Sequence, residues 1–414
     1  MQKRKLFSFA LLGTMLFVSC EKNLYDPTKI PEKEPTVADM VVPADFDWVM
    51  SQQVNCTVHT PHASQVSLYS DEVCKEELIA KFTASPGNAP VVLSLPKDTK
   101  VIYLQYTDKQ GVEKSIAASV ENKTVIFELP TDSKVLPQTR AGDSGSGISL
   151  LYPGNWGTIL FEDMFPKTGD FDFNDFVARY QIMLSGQQAS NGYVTNMRVS
   201  LYVYAVGGTL SYNPAFRLSG IDKSRIDMNS VKLLDVRNNP TPAIQLNVLD
   251  IQSNELAVEL ANAGNNPYQS PGSPFLNTEP GFITKLSEVT QVSFEFSFKQ
   301  PVNPAQLQEP AIDFFLLSKD RSKEVHTKGY RPVFKAYDYS IQGLHSNEPY
   351  CTDQNLVWAI KVPYTVRHTI EKANFRAAYL RFSDWAQSGG KQATDWYKTN
   401  LGYTNNALLI QWKR

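Results

Sequence analysis

The chain has 414 residues, 42% hydrophobic and 20% charged, with 25 prolines, 22 glycines and a formal net charge of −2. That length accommodates two or three ordinary domains, each with its own core. The near-neutral charge, with no basic run beyond the first five residues and no aromatic-rich basic stripe, argues against a nucleic-acid partner.

Gln2-Lys3-Arg4-Lys5 followed by fourteen uncharged, mostly apolar residues from Leu6 to Ser19 has the form of an export signal. No later segment approaches the run of about twenty apolar residues that a spanning helix needs. The stretch Leu16-Phe17-Val18-Ser19-Cys20 resembles the lipobox of bacterial lipoproteins, in the looser form found in Bacteroidetes, with Phe17 where the strict form has Leu. On that resemblance Cys20 is the lipidated first residue of the mature chain and the membrane partner is the lipid itself; an ordinary secretory signal is the alternative. Cleavage removes Lys3, Arg4 and Lys5 and takes the formal charge from −2 to −5. The expected location is the cell envelope, outer membrane and surface-exposed, with residues 20–36 as a polar tether rich in Pro, Lys and Glu.

Residues 37–133 carry short β-branched runs at Val54–His59, Gln65–Tyr69, Val91–Ser94, Val101–Tyr106 and Thr124–Glu128, divided by turn residues. That spacing predicts a small all-β sandwich, and Phe46-Asp-Trp48 leading into Val54 and Val58 resembles the start of immunoglobulin-like modules. Cys56 and Cys74 are candidates for a disulfide between neighbouring strands; with Cys351 the mature chain has an odd number of cysteines besides Cys20. The Gly/Ser-rich stretch 134–147 reads as a linker. Within it Arg140-Ala141 resembles the arginine cleavage points in precursors of Bacteroidales fimbrial lipoproteins, which makes Arg140 a candidate processing site.

Beyond the linker, Val199, Leu201 and Val203 alternate with Ser200, Tyr202 and Tyr204, and Val292, Phe294, Phe296 and Phe298 alternate with polar residues. Period two predicts half-buried strands. A single short helix is predicted within Lys372–Ala386, where Phe375, Tyr379, Phe382 and Trp385 recur at spacings of three and four, ended by the Gly389-Gly390 pair. The fold class expected is mostly β: two sandwich-like domains, the larger one C-terminal over 148–414 with one short helix.

The most chemically loaded segment is Phe161–Phe176, with six acidic or amide side chains and five phenylalanines in sixteen residues. Asp170, Asp172 and Asn174 alternate with Phe171 and Phe173, so oxygen ligands can gather on one side while the rings anchor the segment in a core. Hard cations such as Ca²⁺ take six to eight oxygens. The segment is not an EF-hand, because Asp175 stands at the glycine position and Gln181 at the final glutamate position. Candidate ligands are Asp170, Asp172, Asn174 and Asp175, with Glu162 and Asp163 as further ones; the competing reading is that these residues cap turns. The apolar parity also switches between Phe171/Phe173 and Phe176/Tyr180/Ile182, which predicts a turn or bulge entering a strand near Asn174.

Four ordered motifs then carry a family resemblance. Phe161-Glu-Asp-Met-Phe-Pro with Gly169–Phe176, Glu324-Val-His-Thr-Lys-Gly-Tyr-Arg-Pro332, Trp358-Ala-Ile-Lys-Val-Pro363 and the Ala377–Trp396 segment are together similar to LruC-domain (DUF4842) proteins. Val357 departs from the proline usual before that tryptophan. The resemblance implies a β-rich domain on exported, lipid-anchored proteins of Bacteroidetes type, with surface binding or adhesion to a protein or glycan as the suggested role.

Catalytic alternatives are weaker. Glu162 and Asp163 are adjacent, so in a regular strand they face opposite ways and cannot act together on one glycosidic bond. His326 reads as a hydrogen-bonded structural residue, His59 and His62 lack the further ligands of a zinc site, and Trp385, Trp396 and Tyr397 read as core. The resulting expectation is a non-catalytic envelope binding protein, calcium-stabilised, with a pilus or surface-assembly subunit and a carbohydrate-active enzyme as alternatives.

Overall fold

In this computed structural model, residues 34–136, 147–187, 192–265, 275–334, 338–399 and 402–412 are described. Cys20 and Arg140 lie outside them. The chain divides into Met1–Pro35 and one compact unit, Thr36–Arg414, which holds all the described strands and helices.

The first seven strands are β1 (Ser51–His59), β2 (Ser64–Tyr69), β3 (Leu78–Ala84), β4 (Val91–Pro96), β5 (Val101–Thr107), β6 (Glu113–Ser119) and β7 (Thr124–Glu128). Then come β8 (Ile148–Phe161), β9 (Phe176–Gly186), β10 (Val194–Val206), β11 (Tyr212–Asp222), β12 (Ile226–Arg237), β13 (Gln245–Val248), β14 (Glu255–Ala261), β15 (Thr290–Val302), β16 (Ile312–Ser318), β17 (Glu324–His326) and β18 (Ala359–Val362). Two short helices follow, α1 (Phe375–Ala378) and α2 (Phe382–Gln387). The protein is mostly β, as expected.

Among the described residues three sheets form, in the orders β4-β1-β7, β12-β15-β10-β9-β8-β3-β2-β5-β6 with β18 also on β8, and β13-β14-β11-β16-β17. The β1–β7 pair is parallel, with Asn55 opposite Thr124. The two β modules read from the sequence are joined more closely than a linker implies. Ala80 and Lys81 of β3 pair with Leu150 and Ser149 of β8, so one sheet runs through both. A single apolar core runs from Val54 and Leu104 to Phe294 and Phe314.

β8 makes this junction because it changes partner along its length. On one side it pairs with β9, with an irregularity between Tyr152 and Gly157; on the other it meets β3 at Ser149 and Leu150 and β18 from Thr158 to Phe161. Gly157 is needed there, since a Cβ would lie 2.5 Å from the ring of Tyr180, which is fully buried. Gly157→Ala is expected to lower stability by about 1–3 kcal/mol, the usual cost of forcing extra volume into a packed core. An unchanged urea midpoint would mean that the Tyr180 ring yields freely.

Three sequence expectations are corrected. First, Val37–Met50, assigned to the N-terminal module, packs instead in a second core: Met40, Phe46 and Trp48 lie with Phe375, Phe382, Trp385 and Trp396. Aromatic edge-to-face contacts such as Phe46 on Trp385 at 5.0 Å, and the Trp48 indole donating to the Asn355 carbonyl at 3.0 Å, hold the segment there. Second, the single helix is two. Tyr379 is extended and bridges Thr404, and Leu380 N–H donates to the Tyr403 carbonyl, so the 380 region leaves the helical ladder. Third, Cys56, Cys74 and Cys351 are buried free thiols. Cys56 sits on β1 between Val91 and Val125, in the small sheet. Cys74 lies beyond β2, which belongs to the other sheet, so the expected bridge is not formed.

Candidate metal centre

The acidic segment connects β8 to β9 and is wedged between the two cores. Phe171 and Phe173 are fully buried in the second core, with Phe173 5.1 Å from Phe375, whereas Phe176, Tyr180 and Ile182 enter the first. The parity switch arises because Phe171 and Phe173 both take left-handed backbone, each at φ 56°. For bulky residues that conformation is costly and persists only where surrounding contacts enforce it.

Glu162 is one such contact. Its side chain is completely buried and its two carboxylate oxygens accept the backbone N–H groups of Phe171 at 3.2 Å and Phe173 at 2.6 Å. Asp172, 2% exposed, accepts from the Asn174 side-chain amide at 2.8 Å and from Lys372 N–H at 2.6 Å. Glu162, Asp170 and Asp172 each bring one carboxylate oxygen to within 4.8 Å of the others, with Asp170 exposed at the mouth. Asp163 turns the other way, as adjacent residues at a strand end should. It accepts from Leu210 N–H at 3.3 Å, while its own N–H donates to Asp175 at 2.8 Å.

The predicted ligands therefore form two neighbouring groups: Glu162, Asp170 and Asp172 together, and Asp163 with Asp175 beside them. Sequence reading missed Glu371, whose charge raises the pKa of both Asp172 and Asp175. It also missed Gly207 and Gly208. A Cβ on Gly207 would lie 2.6 Å from the Asn174 side-chain oxygen, and one on Gly208 would collide with the Asp163 carboxylate. Nothing in the sequence near Phe161–Phe176 could have signalled these three, because the fold brings them in from distant positions.

None of these six carboxylates has an ion-pair partner among the described residues. Burial, followed by neighbouring negative charge, pushes Asp172 up to about 8 and Asp175 up to about 7, and raises Glu162 well above the ordinary glutamate range. Asp163 and Glu371 are raised as well, again mainly by burial. The Asn174 side-chain oxygen and one oxygen of Glu371 are buried without a hydrogen-bond partner. An all-oxygen donor set with excess negative charge and orphaned acceptors fits a hard cation such as Ca²⁺, not zinc or copper.

These shifts fix a pH dependence. Each raised carboxylate binds its proton more tightly folded than unfolded, where an aspartate titrates near 3.9. The stability it contributes is complete below about pH 4 and is lost as pH rises through the folded value, here about 7 to 8. Metal-free protein is therefore expected to lose stability between about pH 4 and 8, by up to about 1.4 kcal/mol per pH unit for each such group, and to level off above that. Melts in EDTA across that range check this, and a flat profile would mean that the carboxylates titrate normally.

Elsewhere the structure agrees with the structural readings of the sequence. His326 is fully buried between Asp313 at 3.0 Å and Glu324 at 3.2 Å. His62 contacts the Ser133 carbonyl and hydroxyl at 2.9 and 3.0 Å, and Trp385, Trp396 and Tyr397 are core residues at 3% exposure or less.

Residues 192–397 match the family described as a domain of unknown function, DUF4842. The acidic segment lies just upstream of the matched span, and Glu371 lies within it. The backbone is similar to the crystal structure of a protein from Bacteroides ovatus described as a lipoprotein, with TM-score 0.69 and 19% identity over 84% of this chain and 100% of that one. At that identity the likeness is one of fold. No curated protein matches the chain.

Proposed function

We propose that this chain is a lipid-anchored, non-catalytic binding protein of the cell envelope whose C-terminal domain is clamped by calcium. The observation that supports it most is the buried carboxylate group around Glu162 and Asp172, which lacks a cationic partner among the described residues. The ion's part is to fix the loop: Glu162 and Asp172 hold the backbone of Phe171, Phe173 and Lys372, and these in turn seat two phenylalanines in the aromatic core. The anchor reading rests on the signal-like start and Cys20, and the fold it shares with a Bacteroides protein described as a lipoprotein is consistent with it.

Two measurements test the two halves. Calcium titration of the mature chain by calorimetry should give saturable binding that is lost in Asp170→Asn/Asp172→Asn. Labelled palmitate should enter the full chain but not Cys20→Ser. Absence of the first removes the clamp, and absence of the second removes the anchor.

A further inference from the structure

A cleft of about 1400 Å³ opens where β1 of the N-terminal sandwich faces the 327–332 segment and β18. It is larger than the roughly 300–1,000 Å³ of a typical small-molecule site. Tyr152, Tyr180 and Tyr330 line it together with Glu309, whose carboxylate accepts from the Tyr152 hydroxyl at 3.0 Å and the Tyr330 hydroxyl at 2.9 Å and pairs with Lys361. Two of the lining residues, Gln308 and Tyr180, carry buried polar atoms. The Gln308 side-chain oxygen has no partner although its amide nitrogen donates to Val92, and the Tyr180 hydroxyl has no well-formed hydrogen bond. Buried polar groups are normally satisfied, so the orphaned Gln308 oxygen, with the under-satisfied Tyr180 hydroxyl, marks a place for polar ligand atoms in the lining of a roomy cleft.

Charge narrows the chemistry. Along the lining, Asp47 pairs with Lys97, Glu309 with Lys361, and Glu255 with Arg217, which also binds Asp313. Lys123, Lys328 and Arg331 remain without a carboxylate partner among the described residues, and Lys328 only donates to the carbonyls of Ala44 and Phe46. The cleft is thus net positive in a protein whose formal charge is negative. An extended acidic peptide would dock by adding to a free strand edge; β1 offers none, being paired to β4 and β7. Among the described residues β18 is paired only with β8, so a peptide is the competing ligand that the test must separate. Amides and tyrosine hydroxyls, which donate and accept at once, suit the hydroxyls of a sugar.

We infer that this cleft binds a carboxylate-bearing oligosaccharide, with Gln308 and Tyr180 addressing sugar hydroxyls and Lys123, Lys328 and Arg331 its acidic groups. The inference rests on the binding reading above and gives that reading a site and a ligand class. The test is titration of the mature chain with a hyaluronan hexasaccharide, a neutral maltohexaose and a hexaglutamate peptide, at low and high salt. Hyaluronan fragments should bind, more weakly at high salt. Lys123→Glu/Arg331→Glu should weaken them about tenfold, in line with two exposed charge reversals, with its melting temperature unchanged, and Gln308→Leu should weaken them independently of salt. Equal binding of maltohexaose would overturn the acidic class, equal binding of the peptide the saccharide class, and no binding, or binding indifferent to these substitutions, the site itself. Each of these can happen while the calcium titration and palmitate labelling succeed, so failure here is separable from failure of the broader reading.

Discussion

A chain beginning after Cys20 is expected to melt several degrees lower in EDTA than in millimolar Ca²⁺, and Asp170→Asn/Asp172→Asn is expected to abolish the difference. The reason is mass action. An ion that binds only the folded chain stabilises it by about 2.7 kcal/mol when present at a hundred times its dissociation constant. For a folded unit as large as Thr36–Arg414, at about 2.1 cal/mol/K of unfolding entropy per residue, each kcal/mol is worth roughly 1 °C. The effect should also grow with pH, because protons compete with the cation for Asp172 and Asp175, which titrate near 8 and 7 without it. The structural consequence is local before it is global: loss of the ion returns repulsion to Glu162, whose two hydrogen bonds hold Phe171 and Phe173 in left-handed backbone. Identical melts in EDTA and calcium at pH 8 would leave these carboxylates as turn-capping groups that protonate to relieve one another.

How much of this was legible in the sequence depended on whether the physics was local. Strand alternation in β10 and β15 was readable because one face of each is buried, and the parity switch at Phe171–Phe176 was readable because each phenylalanine set enters its own core. β3 and β6 were missed. Their sequences, Leu-Ile-Ala-Lys-Phe-Thr-Ala and Glu-Lys-Ser-Ile-Ala-Ala-Ser, are rich in alanine and charge and owe their extended form to the neighbours they pair with. The helix read within Lys372–Ala386 had the right periodicity, yet pairing with residues 403–404 broke it, and no helical pattern reports a distant strand-like partner. The same holds for Val37–Met50, whose apolar residues show that the segment is buried without showing where. At the site, the ligand types were legible in one sixteen-residue stretch, while Glu371, Gly207 and Gly208 became part of it only through the fold.

The second large effect is expected far from the acidic loop. Asp313→Ala should cost about 3–5 kcal/mol, the range for removing one partner of a buried ion pair. Asp313 is completely buried and holds two cations at once, Arg217 at 2.8 Å and His326 at 3.0 Å, and His326 reaches on to Glu324 at 3.2 Å. Burial alone would lower the pKa of His326, but the charge and hydrogen bond of Asp313 and the hydrogen bond of Glu324 outweigh it and raise it. Asp313 and Glu324 in turn sit below the ordinary carboxylate range despite their burial, chiefly because of the imidazolium between them. The contribution of the carboxylates is present above their unfolded pKa and lost as acid protonates them. That of His326 is complete below about 6.5 and lost as pH rises through its higher folded value. Without Asp313, His326 and Arg217 would face each other in a site with one remaining nearby acid on each side, so the imidazole should give up its proton near neutral pH. The loss should then be read as a fall in the urea midpoint at unchanged slope, accompanied by a downward-shifted His326 titration in its NMR signal. Asp313→Asn, which keeps the shape and one acceptor, separates charge from packing. If it proved as stable as the parent, the network would be holding His326 by hydrogen bonding alone, and the stacking of the imidazole on Phe315 at 4.4 Å would have to supply the rest.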